Sequence, residues 1–164
     1  DAKMMYRKFN EEKLTRGAVR LGIKANCVLY ACRLAKHPRT TKEISDMFGI
    51  QSKDVSRTTQ IFKDTIMGIT EKNYVTKAFD VMNRLLNSFE ITREERLKCN
   101  KLCQMTDDCT SLMSKTPNSI ASTIIYIVLG TKVKKSELCE KCNISVPTLN
   151  KIDNIIKKHL EAKP

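Results

Sequence analysis

Residues 40–62 read TTKEISDMFGIQSKDVSRTTQIF, the pattern of two short helices joined by a tight turn. Thr40 is placed to cap the first helix and Glu43, three residues on, to answer it as a capping box, while Ile44, Met47 and Phe48 supply an apolar stripe. Gly49 accepts a positive φ without steric cost, and Ile50 turns back toward the core. A second helix is expected from about Ser52, with Val55, Thr59, Phe62 and Ile66 on one face and Lys53, Ser56, Arg57 and Gln60 largely on the others. This is the grammar of a helix-turn-helix, although any helical hairpin needs a cap, a glycine and an apolar face.

The stretch occurs twice. From Ser136 the chain reads SELCEKCNISVPTLNKIDNII, and an offset of 94 pairs Ile44 with Leu138, Ile50 with Ile144, Val55 with Leu149, Arg57 with Lys151 and Phe62 with Ile156. Glu43 falls on Glu137. Gly49 falls on Asn143, and asparagine is the residue after glycine that best tolerates the left-handed conformation. Upstream, Ala25 to Tyr30 pairs with Ala121 to Tyr126 at a slightly different offset. A repeat this long implies two copies of one helical subdomain, residues 1–70 and 71–164, in an all-α fold.

A chain of 164 residues, 41% of them hydrophobic, can bury one good core or two small ones. No apolar run is long enough for a transmembrane helix and no signal-like N-terminus is present, so no membrane partner is expected. The chain begins with Asp1 instead of methionine, as a fragment would. The net charge of +12 is spread over both copies, with 14 basic against 7 acidic residues in 1–70 and 16 against 11 in 71–164. That distribution suits a polyanion lying along the whole molecule, against the blander alternative of a solvated basic surface. Seven cysteines without a secretory signal indicate a reducing compartment. Cys139 and Cys142 have redox or zinc spacing, but no second such pair or histidine cluster accompanies them. Buried small hydrophobes are therefore expected, and no metal.

In chain order, residues 3–16 read as an amphipathic helix around Met5 and Phe9, and Thr15 to Gly22 as an exposed, glycine-punctuated basic loop carrying Arg16 and Arg20. Ile23 to Lys36 reads as a buried helix stopped by His37-Pro38, and Gly68 to Thr70 closes the first copy before a short linker. In the second copy, helices are expected from about Tyr74 to Phe89, from the capping box Thr92 to Glu95 as far as Cys109 or Met113, and from Thr116-Pro117 to Leu129. The second copy thus shows five helices and the first four, which leads to the expectation of a further helix upstream of Asp1.

On the last helix, burial of Leu149, Ile152, Ile156 and Leu160 leaves Thr148, Asn150, Lys151 and Asn154 on the open side. Asparagine can read adenine through a bidentate pair, and lysine can reach guanine or a phosphate. Lys132, Lys134, Lys135, Lys157 and Lys158 would hold phosphates without reading sequence. In the first copy, Arg39, Lys53 and Arg57 either do the same or face a protein partner.

Leu29-Tyr30-Ala31-Cys32-Arg33, followed by Pro38-Arg39-Thr40 and Lys42-Glu43-Ile44, resembles the LYxACR…PRTxKEI pattern in the first cyclin-like repeat of the transcription initiation factor IIB family of eukaryotes and archaea. Thr116-Pro-Asn-Ser-Ile-Ala-Ser, with Ile125-Tyr126, resembles the SPxSIAAAAIY segment of that family's second repeat. The resemblance covers nearly the whole chain. It implies two tandem cyclin-like helical repeats, each ending in a helix-turn-helix. It further implies a monomer that binds double-stranded promoter DNA with a TATA-binding protein and helps to recruit RNA polymerase, with Arg33 and Lys53 facing a partner protein.

Three departures stand out. The zinc ribbon and linker that serve polymerase in that family are absent from this segment, which is itself expected to hold no cofactor. The loop at Arg16-Gly17 is about one residue longer, and the family's second-repeat arginine is replaced by Asn150, followed by Lys151. This divergence and the Lys-, Asn- and Ile-rich composition fit a viral or otherwise remote member. Location would be the nucleus for a cellular eukaryotic chain, and the cytoplasm for a viral or archaeal one. A cyclin-like regulatory subunit of a kinase and another helix-turn-helix regulator are the alternatives. Enzymatic activity is not expected, since no paired carboxylates, activated nucleophile or phosphate-cradling loop is present.

Overall fold

The computed structural model describes residues 1–70 and 76–162, all of them helical or connecting, with no strand among them. The chain divides into two compact units, Asp1–Thr76 and Lys77–Pro164.

The first unit comprises α1 (Ala2–Glu12), α2 (Gly17–Leu34), α3 (Thr41–Phe48) and α4 (Ser52–Thr70). α2 is its axis, packed against the other three. Met5 and Phe9 of α1, Ile23 and Cys27 of α2, and Phe62 and Ile66 of α4 form one buried cluster; Ala25, Leu29, Ile44 and Val55 form another. The Tyr30 and Phe62 rings meet at 4.9 Å.

α3 is defined by its ends. The Thr40 side chain accepts from the Glu43 backbone N–H while the Glu43 carboxylate accepts from the Thr40 backbone N–H, at 3.2 and 2.7 Å. Gly49 closes the helix in the left-handed region, φ 62°. Ile44 is buried, but Met47 is 72% exposed and Phe48 only half-buried. In so short a helix the buried face runs through Ile44, Ser45 and Phe48, and Met47 lies off it.

Of the loop expected at residues 15–22, only Thr15 and Arg16 lie outside a helix. α1 ends at Glu12, with Lys13 extended, and α2 begins at Gly17, so Arg16 sits at its N-cap and Arg20 in its first turn. Gly22 lies inside α2, and a Cβ there would stand 2.5 Å from Thr58 Oγ1 and 2.9 Å from the Asp54 carbonyl. The glycine permits close packing of α2 on α4 and does not mark a break. Next to it, the Asn26 side chain donates to the carbonyls of Gly22 and Val55 at 3.0 and 2.9 Å, and its oxygen accepts from Thr59 at 3.1 Å. α2 stops at Leu34, before His37-Pro38, and Gly68–Thr70 form the last turn of α4.

The second unit comprises α5 (Ala78–Leu86), α6 (Arg93–Met105), α7 (Pro117–Leu129), α8 (Lys135–Cys142) and α9 (Val146–Glu161), with short 3-10 turns at Thr110–Leu112 and Gly130–Lys132. α7, almost wholly apolar, is the axis against which the other four pack. Tyr74 and Val75, expected at the start of α5, lie outside the described residues. The helix opening at the Thr92–Glu95 capping box ends at Met105, short of Cys109, because the chain turns there. Thr116 caps α7 with Pro117 in its first turn, and Gly130 ends it at φ 54°.

Candidate nucleic-acid interface

α8 and α9 reproduce the α3–α4 pair. Asn143, where the first copy has Gly49, takes the left-handed conformation at φ 54°, ψ 50°. The Asn118 side chain donates to the Cys142 carbonyl at 2.8 Å, tying the turn to α7. Ser145 caps α9, its oxygen accepting from the Thr148 backbone N–H, and the two hydroxyls lie 2.7 Å apart. Leu149, Ile152 and Ile156 are buried and Leu160 is half-buried.

That burial leaves Asn150, Lys151 and Asn154 exposed and Thr148 half-exposed. Lys151 and Asn154 have no partner among the described residues. Asn150 does have one, since Lys135 Nζ donates to its Oδ1 at 2.8 Å, while the same ammonium lies 5.1 Å from the Tyr126 ring centroid. Lys134 is exposed at the N-cap of α8. Lys157 is paired with Asp153 at 2.8 Å, which raises its affinity for its proton. Lys132 is bound to Glu95, largely buried, and this bond together with that from the Thr92 N–H lowers the Glu95 carboxyl to about 2. Lys132 and Lys157 therefore already have carboxylate partners, whereas the side chains of Lys134, Lys151 and Lys158 have none among the described residues.

In the first unit, Lys53 and Arg57 project from α4, exposed and without a partner among the described residues. Arg39 is exposed and forms an ion pair with Glu43 at 3.7 Å. Arg16 and Arg20 are exposed at the start of α2. Arg33 lies half-buried over the Tyr30 ring, 4.8 Å from its centroid. The expected site residues thus fall into two sets. One lies on the α8–α9 pair, and the other is divided between α2 and the α3–α4 pair. Sequence reasoning missed the Lys135–Asn150 link, because two residues 15 apart on different helices follow no spacing rule.

The cysteines form no disulfide; six are buried and Cys32 is half-buried. Burial pushes the Cys27 thiol up to about 12 and those of Cys99 and Cys103 to about 11. Cys139 and Cys142 are also raised by burial. No group of three His, Cys, Asp or Glu side chains among the described residues is placed to hold a metal. No helix among them is long and apolar enough to cross a membrane.

The transcription factor TFIIB repeat model matches residues 1–65. Over nearly the whole chain, transcription initiation factor IIB of Pyrococcus abyssi is 25% identical across 162 residues, covering 96% of this chain and 54% of that protein. The first unit thus matches a transcription factor TFIIB repeat, and nearly the whole chain is similar to a transcription initiation factor IIB. Transcription initiation factor IIB 7 of Halobacterium salinarum is 26% identical over 161 residues, 98% of this chain and 49% of its own length. A transcription initiation factor IIB-like protein of Acanthamoeba polyphaga mimivirus is 29% identical over 174 residues, 92% of this chain and 37% of its own. This chain spans about half the length of the archaeal relatives it matches, and a viral protein is among its relatives.

Proposed function

We propose that this chain is the core of a general transcription initiation factor that binds promoter DNA together with a TATA-binding protein and helps to bring in RNA polymerase. The observation that carries the reading is the exposed polar face of α9, with Asn150, Lys151 and Asn154, on the second of two helix-turn-helix units in one basic chain. A helix of this kind, held by its apolar face and capped at its N-terminus, is suited to a major groove. Lys134 and Lys135 would take phosphates and fix the register.

In the first unit, Arg39, Arg57, Arg16 and Arg20 would extend the phosphate contacts, while Arg33 and Lys53 would face the partner protein. Two unequal units in one chain suit an asymmetric, monomeric clamp on bent DNA. The proposal places the protein where its promoter is transcribed, in a nucleus, an archaeal cytoplasm or a viral factory.

A gel shift on an AT-rich promoter duplex, with and without a TATA-binding protein, tests the proposal. Binding should tighten when that partner is added and fall steeply as salt rises. No gain from the partner would remove the initiation-factor reading.

A further inference from the structure

Lys135 and Asn150 stand on different helices of the second helix-turn-helix, and their hydrogen bond settles which way the Asn150 amide points. A lysine ammonium has donors and no acceptor, so the end of the amide facing it must be the carbonyl oxygen. The Asn150 NH2 group therefore points away from Lys135, and no partner among the described residues occupies it.

Lys135 is itself held in place. It is the first residue of α8, where the helix dipole is positive and a cation is disfavoured. Two electron-rich groups offset this, the Tyr126 ring face at 5.1 Å and the Asn150 oxygen at 2.8 Å. Tyr126, Lys134, Lys135, Asp153 and Lys157 line one groove of about 510 Å³ between α7, α8 and α9. The ammonium has a fixed seat on its wall.

We infer that Lys135 is a specificity-determining positioning residue, which locks the Asn150 amide so that its NH2 donors, not its oxygen, lead toward the base edges. This rests on the reading of α9 as a DNA-reading helix. A free asparagine amide can turn over and offer either a donor or an acceptor, and so meets most base edges. The locked amide favours bases that present an acceptor in the major groove, namely purine N7, guanine O6 or thymine O4. It discriminates against cytosine, whose N4 amino group is a donor. Asn150 is thus a neutral donor whose direction is set by a lysine on the neighbouring helix.

The test is selection of binding sites from a randomised duplex pool, followed by titration of single-base variants, with the wild-type chain, Lys135→Met, Lys135→Arg, Asn150→Ala and the double variant Lys135→Met/Asn150→Ala. The wild type should disfavour cytosine at one position by roughly fivefold or more, the low end of a base-edge contact. Asn150→Ala should abolish that preference and Lys135→Met should relax it. Lys135→Arg, also a pure donor, should keep it, and the double variant should match Asn150→Ala in base preference.

If Lys135→Met weakens all duplexes by the same factor and leaves the preference intact, Lys135 is a phosphate contact alone and the inference is overturned. An unchanged preference in Asn150→Ala overturns it as well. Those outcomes leave the DNA-binding proposal standing, whereas a wild-type chain that binds no duplex overturns both. Thermal melts of each variant keep a folding defect apart from a change in reading.

Discussion

Gly22 and Thr58 face one another so closely across the α2–α4 contact that a Cβ on Gly22 would stand 2.5 Å from the Thr58 hydroxyl oxygen and 2.9 Å from its methyl carbon. The Asp54 carbonyl, also 2.9 Å away, is backbone and cannot step aside. Gly22→Ala is expected to destabilise the first unit by about 1–3 kcal/mol, the usual range for overpacking a tight contact. The change gains up to about 1 kcal/mol of helix propensity, which the clash outweighs. Urea unfolding checks this; a variant as stable as the wild type would mean that α2 and α4 are further apart than described.

Glu95 gives the second unit an acid-sensitive contact. Its hydrogen bonds with Lys132 and the Thr92 N–H hold its carboxyl at about 2, against about 4.5 for an ordinary one. The folded pKa is depressed, so the stabilisation is fully present above pH 4.5 and is lost as pH falls toward 2. The melting temperature should fall across that window. Glu95→Gln, which keeps a side chain able to answer the Thr92 cap but loses the charge facing Lys132, should show a shallower fall. An NMR titration placing the Glu95 carboxyl near 4.5 would contradict the described bond.

The parts of the fold legible in the sequence were those encoded within a few residues. Thr40 with Glu43, Thr92 with Glu95, and Thr116 with Pro117 announce helix starts because cap and partner lie within one turn. Gly49 and Asn143 announce the two turns because few residues accept a left-handed backbone. Gly22 was misread as a loop residue because the same lack of a side chain also serves close helix packing, and only the tertiary contact tells the two uses apart. Asn26 gave no signal either, since its partners on α4 lie 29 to 33 residues away. The candidate site divides in the same way. The exposure of Lys151 and Asn154 follows from helical periodicity, but the engagement of Lys132 by Glu95 and of Asn150 by Lys135 depends on where separate helices bring their side chains.

Thiol reactivity should separate Cys32 from the other cysteines. It is half-buried while the other six are buried, and burial raises Cys27, Cys99 and Cys103 to about 11 or 12. At neutral pH those three carry almost no thiolate, the form that reacts. Brief treatment of the native chain with iodoacetamide, read by peptide mass spectrometry, should label Cys32 first. In denaturant all seven should react at similar rates. Early labelling of Cys99 or Cys103 in the native chain would show that the core around α6 opens readily.

Lys151 offers the cleanest separation of folding from binding. It is exposed on α9 without a partner among the described residues, while its neighbour Ile152 is fully buried. Lys151→Ala should leave the melting temperature nearly unchanged, because exposed substitutions away from caps and ion pairs usually fall within about 0.5 kcal/mol. Its effect should appear in duplex binding. If Lys151 reaches a base edge, affinity for the preferred site should drop by about 1–3 kcal/mol and selectivity at one position should relax. If it meets only a phosphate, all duplexes should weaken alike and the slope of log K against log salt should become shallower by about one. Affinity and salt dependence both unchanged from the wild type would place the open face of α9 away from DNA. Its exposed polar residues would then need a different partner.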